Sequence, residues 1–165
     1  MNYSKTTKKQ KEGLGFLGEF LVYNYLRKTI SIKENVKWVS EYAKVAEINL
    51  DGKDGKGYDI EYIPDGEEYP KYVEVKVVGK DNAFHITSTE IIEGEKLGGR
   101  YEIFMVRNIT DHENISIEVI QGPFDYKGQE SFNDNKLFTV LNDSFILKFE
   151  KTDENNKKIL SSSFK

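Results

Sequence analysis

The chain has 165 residues, a formal net charge of −4 and a sequence pI of about 5.4. That length suits one well-buried core, and the acidic balance argues against a protein that coats nucleic acid through its overall field, while leaving room for a local basic patch. The absence of cysteine excludes disulfides, thiolate metal sites and Cys nucleophiles, and two histidines are too few for a His-rich zinc site, so any metal is expected to be held mainly by oxygen.

No stretch approaches the roughly 20 apolar residues of a membrane span, and the N-terminal MNYSKTTKKQKEG has no apolar segment of signal-peptide length behind it. A cytoplasmic protein with no membrane association is the expectation. Two lysine-rich runs, Lys5, Lys8, Lys9 and Lys11, then Arg27, Lys28, Lys33 and Lys37, have solvated charge as their plain reading.

From Glu12 to Lys28, Leu14, Leu17, Leu21 and Tyr25 recur with the period of an amphipathic helix. Inside it, Gly13-Leu14-Gly15-Phe16-Leu17-Gly18 spells G-x-G-x-x-G, the fingerprint of dinucleotide-binding folds. That fingerprint needs a strand immediately upstream, and YSKTTKKQKE has no apolar residue after Tyr3 to make one buried. The glycines are better read as clearance around Glu19, letting the helix lie close to a sheet or a phosphate close to the helix.

VKWVSEY at 36–42 reads as a short strand, and LDGKDGKG at 50–57 as a Gly-rich loop. GYDIEYI, PDGEEYP and KYVEVKVVG then form a hairpin pattern, AFHIT a further strand, and Thr87-Ser88-Thr89-Glu90 a capping box opening a helix that closes near Gly98-Gly99. YEIFMVRN at 101–108 reads as a buried strand and ISIEVIQG as another; KLFTVLN and SFILKFEK read as strand or helix, and the chain from Thr152 as a polar, frayed tail. This order predicts an α/β or α+β domain on a mixed sheet.

If the hairpin folds symmetrically, residue i faces residue 133 minus i, which puts Asp59 opposite Glu74 at a Cβ separation of roughly 4.5–5.5 Å. Alternation then assigns Tyr58, Ile60, Tyr62, Val73, Val75 and Val77 to a buried face, and Asp59, Glu61, Glu74 and Lys76 to a charged one. A hairpin with one wet face would look the same. Two carboxylates this close repel unless a proton or cation lies between them, and carboxylates with carbonyl and water oxygens suit Mg²⁺. Lys76, two residues past Glu74 on the same face, could position or deprotonate a water and neutralise charge on a phosphate.

Asp59 followed by Glu74-Val75-Lys76 resembles the D...[D/E]-x-K signature of the PD-(D/E)xK nuclease superfamily. Gly18-Glu19, Gly57-Tyr58-Asp59-Ile60, Val73-Glu74-Val75-Lys76, then FHITSTE and YEIFMVRN, are similar to the NO VEIN C-terminal-type domain over residues 12 to 110. The resemblance implies a restriction-endonuclease-like mixed sheet flanked by helices. It implies a metal-dependent endonuclease, with Mg²⁺ (Mn²⁺ as substitute) on Asp59, Glu74 and the Val75 carbonyl. Lys76 would serve the attacking water, and Glu19 would be a further ligand or would orient the others. The organisation implied is a basic segment at 1–11, one nuclease-like domain at 12–151 and the tail at 152–165. DNA is the expected substrate ahead of RNA, in a restriction or phage-defence setting, with a homodimer or a helicase or defence protein as partner.

Pro64-Asp65 also precedes the Glu74 motif, but six strand residues at about 3.3 Å each would hold Asp65 on the order of 20 Å away. Lys56, Lys80, His85 and Arg100 are candidate phosphate contacts whose plain reading is surface or packing; Glu90 is explained by helix capping, although the resemblance includes a glutamate there. No Ser-His-Asp arrangement or P-loop is present. A second reading keeps the nuclease fold without catalysis, as a module for nucleic-acid or protein binding.

Overall fold

A computed structural model describes residues 7–125 and the segments 138–141, 146–149 and 157–161. Helix α1 spans Lys8–Thr29. It starts before Glu12 because Thr7 caps it: the Thr7 side chain accepts from the Gln10 N–H, and the Gln10 side chain accepts from the Thr7 N–H. Its most buried line is Gly18, Val22 and Leu26, spaced by four, with Glu19 and Tyr23 beside it. The leucines and Tyr25 of the expected stripe flank that line, partly buried.

Strands β1 (Val36–Trp38), β2 (Ile60–Tyr62), β3 (Lys71–Val78), β5 (Tyr101–Arg107), β6 (Ser116–Gln121) and β9 (Lys157–Ser161) form a six-stranded sheet in the order β1-β2-β3-β5-β6-β9. Only β3 and β5 are parallel, so the sheet is mixed, as the pattern predicts. Strands β4 (Ala83–His85), β7 (Phe138–Leu141) and β8 (Ile146–Phe149) make a second, antiparallel sheet that was not foreseen. KLFTVLN and SFILKFEK supply β7 and β8, which settles them as strands, and the supposed tail supplies β9 on β6. Short helix α2 (Glu41–Val45) was also missed; α3 (Ser88–Leu97) has the expected Thr87–Glu90 box and the expected end at Gly98. Among the described residues, no helix is long and apolar enough to cross a membrane.

Two apolar layers result. On one face of the sheet, Val22, Tyr23 and Leu26 of α1 pack with Ile60, Val73, Val77, Phe104 and Val106. On the other, Phe84, Ile86 and Phe124 pack with Val78, Tyr101, Ile103 and Met105, joined by Ile91 and Leu97 of α3. Burial on both faces follows from the crossover through β4 and α3 that brings β5 back parallel to β3.

Gly18 sets the distance between α1 and β3. A Cβ built there would stand 2.6 Å from Val77 Cγ2 and 3.6 Å from Val75 Cγ1, whereas one at Gly13 would meet nothing within 4 Å. Gly18→Ala is therefore expected to destabilise by about 1–2 kcal/mol, the overpacking outweighing the gain in helix propensity. Gly13→Ala should stabilise by roughly 0.5–1 kcal/mol. Urea denaturation of the two variants tests the pair, and a stabilising Gly18→Ala would refute the close approach.

Candidate functional site

The hairpin pairs Ile60 with Val73, Glu61 with Tyr72 and Tyr62 with Lys71, the predicted register. Asp59, the residue before β2, lies outside that ladder, so the expected direct Asp59–Glu74 pair does not form: the chain bends there. The Asp59 N–H still donates to the Val73 carbonyl at 2.8 Å, and the Asp59 carbonyl accepts from Val39 and Ser40 N–H groups beyond β1. Its carboxylate then replaces the missing strand partner: Oδ2 accepts from the Val75 N–H at 2.8 Å. Because a strand residue's N–H and C=O leave the same edge, the Val75 carbonyl is directed to this side too.

The face assigned as wet is covered. Glu74 is only 4% exposed, beside β5. Tyr58 also departs from the expected face: its ring lies 4.8 Å from that of Tyr72, on the Glu74 side, because Tyr58 precedes β2 and escapes its alternation. Lys76 Nζ lies 2.7 Å from Glu74 Oε1 and donates to Glu90 Oε2 at 2.9 Å. Glu90 Oε2 simultaneously accepts from the Thr87 N–H at 2.9 Å, so the capping residue of α3 also fixes the lysine.

Glu19 reaches the same place from α1. Its Oε2 accepts from Trp38 Nε1 at 2.6 Å and from the Ser40 hydroxyl. Glu19, Asp59, Glu74, Val75, Lys76 and Glu90 all line one cavity of about 550 Å³, together with Lys11, Tyr42, Asp54 and His85. Of the weaker candidates, His85 is in this cavity, while Lys56 is exposed and does not line it, although its neighbours Gly55 and Gly57 do. Lys80 and Arg100 are elsewhere: Lys80 lines a second cavity, and the Arg100 guanidinium sits over the Tyr72 ring. Asp65 is also away from the site, accepting from the Ser31 N–H and hydroxyl. The GLGFLG glycines lie inside α1, past the N–H groups at a helix start that would grip a phosphate, so they form no dinucleotide cradle.

Burial pushes the Glu19 carboxyl up to about 7, against the pull of its Ser40 and Trp38 hydrogen bonds and with repulsion from Glu74. Asp59 is raised well above the ordinary carboxylate range by burial and then by Glu19, with the Val75 N–H opposing. Glu74 is raised by burial and by Asp59, with Lys76 opposing. Burial alone would lower Lys76, but Glu74 and Glu90 outweigh it and hold the ammonium protonated above the usual lysine range. The His85 imidazole is lowered by partial burial and by Lys11 and Lys76.

The donors suit a hard divalent cation: they are oxygens throughout, and one Lys76 ammonium cannot balance the carboxylates of Glu19, Asp59, Glu74 and Glu90. Among the described residues, however, no three Asp, Glu or His side chains stand together as a ready-made cage. The fit therefore rests on two carboxylates plus a main-chain carbonyl, with Glu19 behind them.

A folded-state value of about 7 against an ordinary 4.5 means that folding favours protonated Glu19. Stability of the metal-free protein is then present in full below the lower value and lost as pH rises towards the upper one, by up to about 3 kcal/mol. Glu19→Gln keeps an oxygen for Trp38 and Ser40 and removes the charge. Melting in EDTA should show the variant above wild type at pH 8 and level with it at pH 4; equal melting at pH 8 would refute the buried charge.

Sequence reasoning missed Trp38, Ser40, Asp54 and the second role of Glu90. Lys11 was findable, since Lys11, Gly15 and Glu19 are four apart on one helix face. Trp38 carried a signal as well, because a buried indole N–H needs an acceptor.

Together these features define a mixed-sheet α+β domain with a buried acid–lysine cluster where a strand hairpin splays. The chain belongs to the family described as Protein NO VEIN, C-terminal, whose model matches residues 18–119, more than half of the chain. That stretch contains all the acidic residues of the cluster and Lys76. No curated protein and no solved structure matches the chain.

Proposed function

We propose that the cavity is the active site of a metal-dependent endonuclease of the PD-(D/E)xK type, acting on DNA. The observation that carries this reading is the convergence of Asp59, Glu74 and Lys76, with Glu19 from α1, in one cavity through the predicted hairpin register. Asp59, Glu74 and the Val75 carbonyl would hold Mg²⁺, or Mn²⁺ in its place. The bound ion supplies Lewis-acid polarisation of the phosphoryl group and a more acidic water.

The chain's own residues do the rest. Lys76, kept protonated by Glu74 and Glu90, serves as a fixed positive charge for the phosphate as negative charge grows on it. Of the two roles the lysine could have, this favours charge stabilisation over proton abstraction. Glu19 is held by Trp38 and Ser40 so that it orients the acidic pair. Lys11 and His85 line the cavity as contacts for neighbouring phosphates. One such site cuts one strand, so a double-strand break requires a homodimer or a helicase or defence partner, in a cytoplasmic restriction or phage-defence setting.

The expected result is nicking of supercoiled plasmid in Mg²⁺, stronger than cleavage of RNA of matched length, and calorimetric binding of Mn²⁺, both lost in Glu74→Gln. Cleavage by Glu74→Gln at the wild-type rate would refute the assignment. A second reading, a nuclease-fold module that binds nucleic acid or protein without cutting, is favoured by one observation: Lys76 is already satisfied by two carboxylates. Absence of Mn²⁺ binding by the wild-type protein would select it.

A further inference from the structure

The end of β5, Arg107-Asn108, has no part in the cavity described above. After β3 the chain turns to β4 in the second sheet, and after β5 it turns back into β6. The carboxyl ends of the parallel pair therefore lie between two departing chains, a place where sheets of this kind form ligand crevices. A cavity of about 450 Å³ lies there, with Lys80, Asn82, Arg107, Asn108, Thr110 and Asp111 on its walls. It shares no lining residue with the first.

Arg107 is mostly buried. Its Nε donates to Glu118 Oε2 at 3.0 Å and its Nη1 to Asn82 Oδ1, while the buried Nη2 meets no acceptor among the described residues. A buried guanidinium nitrogen in that condition carries the full cost of its lost hydration until an acceptor reaches it. The acidic wall residue does not supply one: Asp111 accepts from the Glu113 N–H and the Asn114 amide, within its own turn. Asn108 is likewise committed, donating to the Asn114 carbonyl.

We propose that this second cavity binds the phosphate group of a phosphomonoester. Arg107 Nη2 is the buried anchor, the Lys80 ammonium the charge at the rim, and the Asn82 amide and Thr110 hydroxyl the neutral donors. A phosphomonoester presents three terminal oxygens in a tetrahedral array and so takes donors from several directions, whereas a carboxylate offers two in a plane. Glu118 already answers one edge of Arg107, so Lys80 is needed to match the second negative charge. The same group could arrive on a free mononucleotide or at the 5′ end of a strand.

The test is titration of the ¹⁵N-labelled chain, without divalent metal and at constant ionic strength. The probes are inorganic phosphate, a nucleoside 5′-monophosphate, and a short oligonucleotide with and without a 5′-phosphate. Saturable shifts are expected at the amides of Gly79–Asn82 and Arg107–Asp111. Affinity should fall roughly tenfold or more, the worth of one charge-assisted hydrogen bond, in Lys80→Glu and in Arg107→Lys. Lys80 is exposed, and lysine at 107 keeps a cation opposite Glu118, so both variants should fold. Tighter binding of the 5′-phosphorylated oligonucleotide than of the mononucleotide identifies a strand end, and equal binding a free nucleotide; both support the site. Absence of saturable shifts, shifts confined to the Lys11, Lys76 and His85 cavity, or unchanged affinity in both variants overturns it. Loss of nuclease activity alone leaves these shifts in place, which separates this site from the endonuclease reading.

Discussion

Asp59→Asn is expected to lower metal-dependent plasmid nicking by about 1,000-fold or more and to abolish Mn²⁺ binding, while raising the melting temperature of the metal-free protein at pH 8. The two effects have one origin. The asparagine oxygen still accepts from the Val75 N–H, so the splayed edge of the hairpin stays closed. What disappears is a negative charge that burial, Glu19 and Glu90 all disfavour. A destabilising charge kept in place is what a ligand for a cation looks like, and the variant separates that function from the fold. Nicking at the wild-type rate would remove Asp59 from the mechanism. A lower melting temperature would show that a cationic partner stabilises the carboxylate in the metal-free state.

Lys76→Met should have the largest effect on stability, a loss of about 3–5 kcal/mol at pH 8, because it leaves buried Glu74 and half-buried Glu90 without their shared cation. Without the ammonium Glu74, raised by burial and by Asp59, holds its proton more tightly in the folded chain than in the unfolded one. Stability must then fall as pH rises through that range and recover as pH falls. Melting curves at pH 5 and pH 8 check the sign: the deficit should shrink at pH 5, and an equal deficit at both would mean that Lys76 acts through packing alone. Catalysis should be undetectable in this variant at every pH at which it folds. Lys76→Arg, which restores a cation of different shape, should recover most of the stability and little of the activity.

Much of the site was legible in the chain because it rests on local rules. Two short runs of alternating residues about a Pro-and-Asp-Gly turn set the hairpin, and turn symmetry set the register of its strands, so Asp59 could be placed beside the Glu74-Val75-Lys76 strand and Asp65 set aside. The capping box at Thr87–Glu90 and the helix end at Gly98 were equally readable, since both are contacts within a few residues. The first helix was read at the right place but from too late a start, because Thr7 and Gln10 form the same kind of box without the acidic residue usually sought there.

What the sequence by itself determined is the chemistry available: oxygen donors without thiols, a carboxylate on each arm of the hairpin, a lysine two residues on, and a glycine-lined glutamate in the helix before them. What only the tertiary structure decided is the environment of those groups. The parallel return of β5 buries the face of Glu74 and Lys76, α3 carries Glu90 to the lysine, and Trp38 and Ser40 of the segment after α1 receive Glu19. The same return opens the Arg107 cavity at the strand ends, and β9 covers β6 from a stretch whose polarity suggests no strand. Alternation and capping are written over a few residues and can be read there. Burial, and with it the protonation of each carboxylate, depends on what arrives from far along the chain, and no local pattern records it.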